Sequence, residues 1–97
     1  MELLKNYING ELREPAAGTY LDNYEPATGA VYSKVPDSDE RDIQQAVEAA
    51  KAAFAAWSNT GLEERMMILM RIADGIEKRM DEFVKAESRD NGKTLKL

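Results

Sequence analysis

The chain has 97 residues, 13 basic against 18 acidic, and a formal net charge of -5. That length holds one domain at most and only a small core. The acidic balance argues against nucleic acid, where phosphate neutralisation needs clustered Lys and Arg. With no Cys and no His, disulfides, thiolate nucleophiles, Cys/His zinc sites and every Ser-His or Cys-His relay are excluded from this chain. Hydrophobic residues at 43% and charged residues at 32% match a globular, soluble profile. The opening Met1-Glu2-Leu3-Leu4-Lys5-Asn6 forms no apolar leader. No stretch reaches the about 18 apolar residues a membrane span needs. These features predict a cytoplasmic α+β protein.

Residues 1–36 hold all three prolines, Pro15, Pro26 and Pro36, and read as two short β-hairpins. Asn9-Gly10 lies between Asn6-Tyr7-Ile8 and Glu11-Leu12-Arg13, and both turn residues tolerate positive φ. The second hairpin pairs 19–24 with 30–35 around Pro26-Ala27-Thr28-Gly29, where proline presets φ and glycine takes the left-handed position. Tyr20, Tyr24, Val31, Tyr32 and Val35 supply β-favouring side chains. Two-stranded ribbons are marginal in water, so both hairpins need a surface to lie on.

Residues 37–97 read as three helices. Asp37 is the expected N-cap of the first, with Glu40 completing a capping box. Ile43, Ala46, Val47, Ala50, Phe54 and Trp57 then recur on one face, and the alanines between them favour helix. Trp57 is expected in the core. Ser58-Asn59-Thr60-Gly61 ends that helix. The next starts near Leu62 with an apolar face of Leu62, Met66, Leu69, Ile72, Ala73, Ile76 and Met80. Met67 and Ile68 lie off that face, which predicts cover on more than one side. A third helix runs from about Asp81 to Asn91 and stops at Asn91-Gly92. The chain restarts at Lys93-Thr94-Leu95-Lys96-Leu97 without a closing element, which reads as an interruption.

Chemistry-bearing motifs are sparse. Gly92-Lys93-Thr94 suggests a phosphate loop, but Glu87 stands where the first glycine belongs, on an expected helix. No G-x-G-x-x-G occurs. Glu63/Glu64 and Asp81/Glu82 are adjacent on helices, pointing about 100° apart, and read as helix starts that complement the dipole. Met66, Met67, Met70 and Met80 read as core or interface packing, with an adaptable partner groove as the alternative.

The order of segments nevertheless resembles the start of the aldehyde dehydrogenase superfamily. Tyr7-Ile8-Asn9-Gly10-Glu11, Tyr24-Glu25-Pro26-Ala27-Thr28-Gly29 and the strand from Val31 to Pro36 come in that family's order. So do Ala46-Val47-Glu48-Ala49-Ala50, Ala53-Phe54-Ala55-Ala56-Trp57, Glu63-Glu64-Arg65, Ile72-Ala73-Asp74 and Glu87-Ser88-Arg89-Asp90-Asn91-Gly92-Lys93. The wording of Tyr20–Tyr24, Ala86–Ser88 and Gly92–Leu95 is most similar to the 2-aminomuconic and related semialdehyde dehydrogenases. Glu25 stands where the family usually has Asn, and Asn91 where it often has Thr.

The resemblance implies that residues 1–97 are the N-terminal, incomplete part of an α/β cofactor-binding domain, truncated from a longer chain. It implies NAD or NADP as cofactor and a homo-oligomer. In the full-length enzyme a Cys thiolate attacks the aldehyde, a hydride passes to nicotinamide, and water releases the acid. No catalytic or nucleotide-binding residue of that scheme falls here, so this chain alone is expected to be inactive. One site does fall here: a monovalent cation held by the backbone carbonyls of Asn23 and Tyr24 and by the Asp90 carboxylate. Hard cations prefer such oxygens. The alternative role of Asp90 is to accept local backbone N–H bonds at the helix stop. A stand-alone helical interaction module, and more weakly a small nucleotide carrier, are the competing readings of the whole chain.

Overall fold

Asn9 at φ 53° and Gly10 at φ 76° make the first turn, with the two positive φ values that a type I′ hairpin requires. They join β2 (Asn6–Ile8) to β3 (Glu11–Arg13) in the antiparallel register Ile8↔Glu11. A computed structural model describes residues 1–95 of the chain. Lys96 and Leu97, the end of the expected restart after Gly92, lie outside the described residues. The second hairpin pairs β4 (Tyr20–Tyr24) with β5 (Val31–Pro36), with Leu21 opposite Val35 and Asn23 opposite Ser33. Its turn is closed by Gly29 N–H donating to the Glu25 carbonyl at 2.7 Å. Gly29 adopts φ 73°. Both hairpins stand within a residue of their expected places.

A strand beyond the sequence reading, β1 (Glu2–Leu3), pairs in parallel with β5 and gives a sheet of order β1-β5-β4. Two residues are too few to show a period of their own.

The helices are α1 (Glu40–Ser58), α2 (Leu62–Lys78) and α3 (Met80–Asn91). Two boundaries differ from expectation. The N-cap of α1 is Asp39, not Asp37, and the reciprocal partner is Asp42 rather than Glu40. Asp37 is still tied to the end of the second hairpin, its N–H donating to the Thr19 carbonyl at 2.9 Å. Met80 belongs to α3 rather than to the face of α2, because Arg79 breaks the helix at φ -114°, ψ 26°. The break is held by Arg79 Nε on Glu82 Oε2 at 2.7 Å.

The core is slight. Ile8, at 7% exposure, and Pro15 are the only buried apolar side chains among the described residues. Trp57, expected inside, is 46% exposed, and Phe54 and Leu69 stand 68% and 64% exposed. The molecule measures 47 × 37 × 15 Å with a radius of gyration of 17.0 Å. A compact chain of this length has a radius of about 12–13 Å. Its accessible surface is 7956 Å², where a compact monomer of this mass exposes about 5,600 Å². The apolar faces read from the sequence are present as helix faces, but they are uncovered.

Candidate functional site

Of the three residues expected from the sequence to hold a cation, Asn23 and Asp90 meet through a side-chain hydrogen bond where the end of α3 meets the second hairpin. Gly92 caps α3 in the left-handed region at φ 79°, its N–H donating to the Ser88 carbonyl at 2.8 Å. A Cβ at Gly92 would stand 3.3 Å from the Pro26 ring, so glycine also lets the helix end seat against the hairpin turn.

Asp90 is the centre of this junction. Its Oδ1 accepts from Asn23 Nδ2 at 3.2 Å and from the Tyr32 hydroxyl at 2.9 Å. The same Asn23 amide donates to Ser33 Oγ at 3.0 Å, and Ser33 is buried. Beside it, the Arg89 guanidinium lies 4.5 Å from the Tyr32 ring centre, within cation–π range. Arg89 Nε also faces Glu25 Oε1 at 3.6 Å.

Asp90 therefore accepts from distant side chains rather than from local backbone N–H groups, which replaces the alternative role expected for it. Its Oδ2 takes no hydrogen bond among the described residues. The third sequence-derived residue, Tyr24, stands at the irregularity in the β4–β5 ladder between Asn23 and Tyr24. Its side chain is exposed. Such a break leaves backbone groups out of the regular ladder. Tyr32, Ser33 and Arg89 were not singled out by sequence reasoning. Counting back from the Pro26–Gly29 turn puts Tyr32 opposite Asn23; the register shift between Asn23 and Tyr24 moves Ser33 there instead, and nothing in the sequence marks that shift.

The electrostatics follow the geometry. Hydrogen bonds from Asn23, then from Tyr32, hold the Asp90 carboxyl below its usual 3.8 against the opposing effect of desolvation. Donation to Asp90 holds the Tyr32 hydroxyl above its usual 10.0. The junction's acid-side contribution is thus fully present above the ordinary carboxylate value. It is lost as pH falls through the depressed folded value. Its alkaline-side contribution is present below the ordinary phenol value and lost as pH rises through the raised one. Asp90→Asn is expected to flatten the acid limb of the stability profile. Carboxyl chemical-shift titration checks the direction, and an Asp90 that titrates above 3.8 contradicts it.

A second polar junction seats the first hairpin on α1. Asp42, 4% exposed, accepts from the Ala16 N–H through Oδ1 at 2.9 Å and from the Asp39 N–H through Oδ2 at 3.0 Å. Asn6 Nδ2 donates to Ser38 Oγ at 2.8 Å. A shallow hollow of about 250 Å³ runs between Tyr7, Ile8, Ile43 and Ala46. No group of three or more His, Cys, Asp or Glu residues that could hold a metal occurs among the described residues. Glu87 is helical, as expected, so Gly92-Lys93-Thr94 forms no phosphate loop.

Comparison with known proteins places these elements. Residues 13–97 match the profile of the Aldehyde dehydrogenase family. The chain is 46% identical over 95 residues to 2-aminomuconic semialdehyde dehydrogenase of Mus musculus, covering 98% of this chain and 19% of that protein. It is 45% identical over 92 residues to acetaldehyde dehydrogenase 2 of Cupriavidus necator, covering 95% and 18%. Among solved structures it superposes on PnpE in complex with nicotinamide adenine dinucleotide with a TM-score of 0.92 at 34% identity, covering 95% of this chain and 19% of that one. The five strands and three helices are an α+β arrangement that matches the N-terminal part of that fold. The chain spans about a fifth of the length of the relatives it matches. With a profile match across most of its length, the chain belongs to the aldehyde dehydrogenase family.

Proposed function

We propose that residues 1–97 are part of the cofactor-binding domain of an NAD(P)-dependent aldehyde dehydrogenase and act there as a structural segment. The whole protein oxidises an aldehyde to its acid, and this segment is inactive on its own. The observation that carries the reading is the uncovered apolar surface of α1 and α2. Phe54 and Leu69 are mostly exposed in a chain that spans only 19% of its relative. The remainder of a longer chain is the partner that covers them. The name of the Mus musculus relative supports a semialdehyde as substrate, and the nicotinamide dinucleotide in the PnpE structure supports the cofactor class. That cofactor, when bound, accepts the hydride. This chain's own residues supply the packing that supports its domain. The reading includes a cytoplasmic homo-oligomer, and no helix among the described residues is long and apolar enough to cross a membrane.

The test is a chimera in which this segment replaces the corresponding part of the Mus musculus enzyme. The chimera is expected to fold and reduce NAD with aldehyde, while the isolated chain reduces none. A chimera that stays insoluble or inactive beside a working parent enzyme sinks the reading, as does turnover by the isolated chain.

The cation site belongs to the same proposal. The Asp90 carboxylate, held ionised with Oδ2 free, and the Asn23 and Tyr24 carbonyls at the ladder break are a donor set of hard oxygens suited to a monovalent cation. In the chimera, sodium or potassium is expected to raise the melting temperature above that in choline chloride. Asp90→Ala is expected to remove the difference. Equal melting of the unsubstituted chimera in all three salts overturns the site.

A further inference from the structure

We propose that Asn9-Gly10 is a site of spontaneous deamidation through a cyclic imide, and that the second Asn-Gly pair, Asn91-Gly92, is held out of the same reaction by its hydrogen bonds. The reaction needs no enzyme and no oxidant. The backbone nitrogen of the following residue attacks the asparagine Cγ, and an N–Cγ bond forms. The Cγ–Nδ2 bond breaks and ammonia leaves. Water then opens the five-membered ring at either carbonyl, giving aspartate or isoaspartate. Three features favour attack: no Cβ on the following residue, an N–H free of any acceptor, and a side-chain amide free to turn.

Only one of the five asparagines has all three. Asn6, Asn23 and Asn59 precede Tyr7, Tyr24 and Thr60, each with a Cβ. Their amides are also engaged, on Ser38 Oγ, on Ser33 Oγ and Asp90 Oδ1, and on the Ala55 carbonyl. Asn91 precedes glycine but is tied at every reacting atom. The nucleophile, Gly92 N, donates to the Ser88 carbonyl at 2.8 Å. Asn91 Oδ1 accepts from Lys93 N at 2.8 Å, and Nδ2 reaches Glu87 Oε1 at 3.5 Å. At the hairpin the opposite holds. Neither the Asn9 side chain nor the Gly10 N–H has a hydrogen-bond partner among the described residues. Both residues are exposed, and open space surrounds Gly10.

The two products differ in consequence. Aspartate keeps the backbone intact and tolerates the left-handed φ of 53° at this position. Isoaspartate inserts a methylene into a two-residue turn whose length sets the Ile8↔Glu11 register. That register positions Ile8, which is buried. Isoaspartate at position 9 therefore loosens the first hairpin from α1, while aspartate only adds a charge.

The test is ageing of the 97-residue chain, and of the chimera above, at mildly alkaline pH, followed by peptide mapping and isoaspartyl methyltransferase labelling. The peptide containing Asn9 is expected to gain a single mass unit and to label. The Asn91 peptide is expected to react at least roughly tenfold more slowly, because its hydrogen bonds must open first. In denaturant the two rates are expected to converge. An Asn91 that keeps pace under native conditions overturns the proposal, and so does a difference that survives unfolding. An Asn9 peptide that stays unmodified while unfolded chain reacts overturns it as well.

Discussion

Asp42→Ala is expected to cost about 3 kcal/mol of stability. Each carboxylate oxygen accepts one backbone N–H, from Ala16 and from Asp39. A hydrogen bond to a charged group contributes about 1.5–3 kcal/mol, and loss of a helix cap costs about 0.5–2 kcal/mol. Alanine leaves both donors at a nearly closed position, since Asp42 is 4% exposed. Domains are stable by only about 5–15 kcal/mol, and one whose described residues bury only Ile8 and Pro15 among the apolar side chains sits toward the low end. Chemical denaturation of the wild type and variant checks the figure. Asp42→Asn, which keeps one acceptor oxygen, is expected to fall between them. A variant within about 0.5 kcal/mol of wild type, the range of ordinary surface changes, contradicts this account.

Charged replacements at Phe54 and Leu69 are expected to behave in the opposite way in two settings. In the isolated chain both side chains face water, so Phe54→Asp and Leu69→Asp change its stability by less than about 0.5 kcal/mol. In the chimera those faces are covered, and burying an unpaired carboxylate there costs several kcal/mol or forces its protonation. Aldehyde oxidation and soluble yield are therefore expected to collapse in the chimera while the isolated variant melts like its parent. Paired melting curves and activity assays make the comparison. A chimera that tolerates both replacements shows that these faces stay open in the whole protein.

The elements were legible in the sequence where chemistry is local. Asn9-Gly10 fixes a tight turn by itself, and Pro26 through Gly29 fixes another. The spacing of Ile43, Val47, Ala50 and Phe54 declares a helix face without reference to any neighbour. What stayed hidden depends on partners distant in sequence. Asp39 rather than Asp37 caps α1, in a reciprocal box with Asp42, whose other oxygen accepts from the distant Ala16 N–H. Asp42 is buried because Ala16 lies against it. Met80 joins α3 because of a backbone break at Arg79 that neither glycine nor proline marks. At the candidate site, Asn23 and Asp90 were legible through the family's motif order, whereas Tyr32 and Ser33 needed the strand register. The expectation that Trp57 lies in a core failed for a different reason. An apolar helix face shows that something covers it, but not whether that cover lies within the same 97 residues.

The seating of the α3 terminus against the second hairpin sets an order of events during synthesis. Tyr20–Tyr24 and Val31–Pro36 are joined by a short turn and can pair soon after both leave the ribosome. The bonds from Tyr32 and Asn23 to Asp90 span 58 and 67 positions of chain, and no shorter nascent polypeptide can make them. The hairpin must therefore wait, half-dressed, through the translation of two whole helices before its lock arrives. Slowing elongation between codons 37 and 90 lengthens that interval, and it is then that Tyr32 and Ser33 are most open to the wrong neighbour.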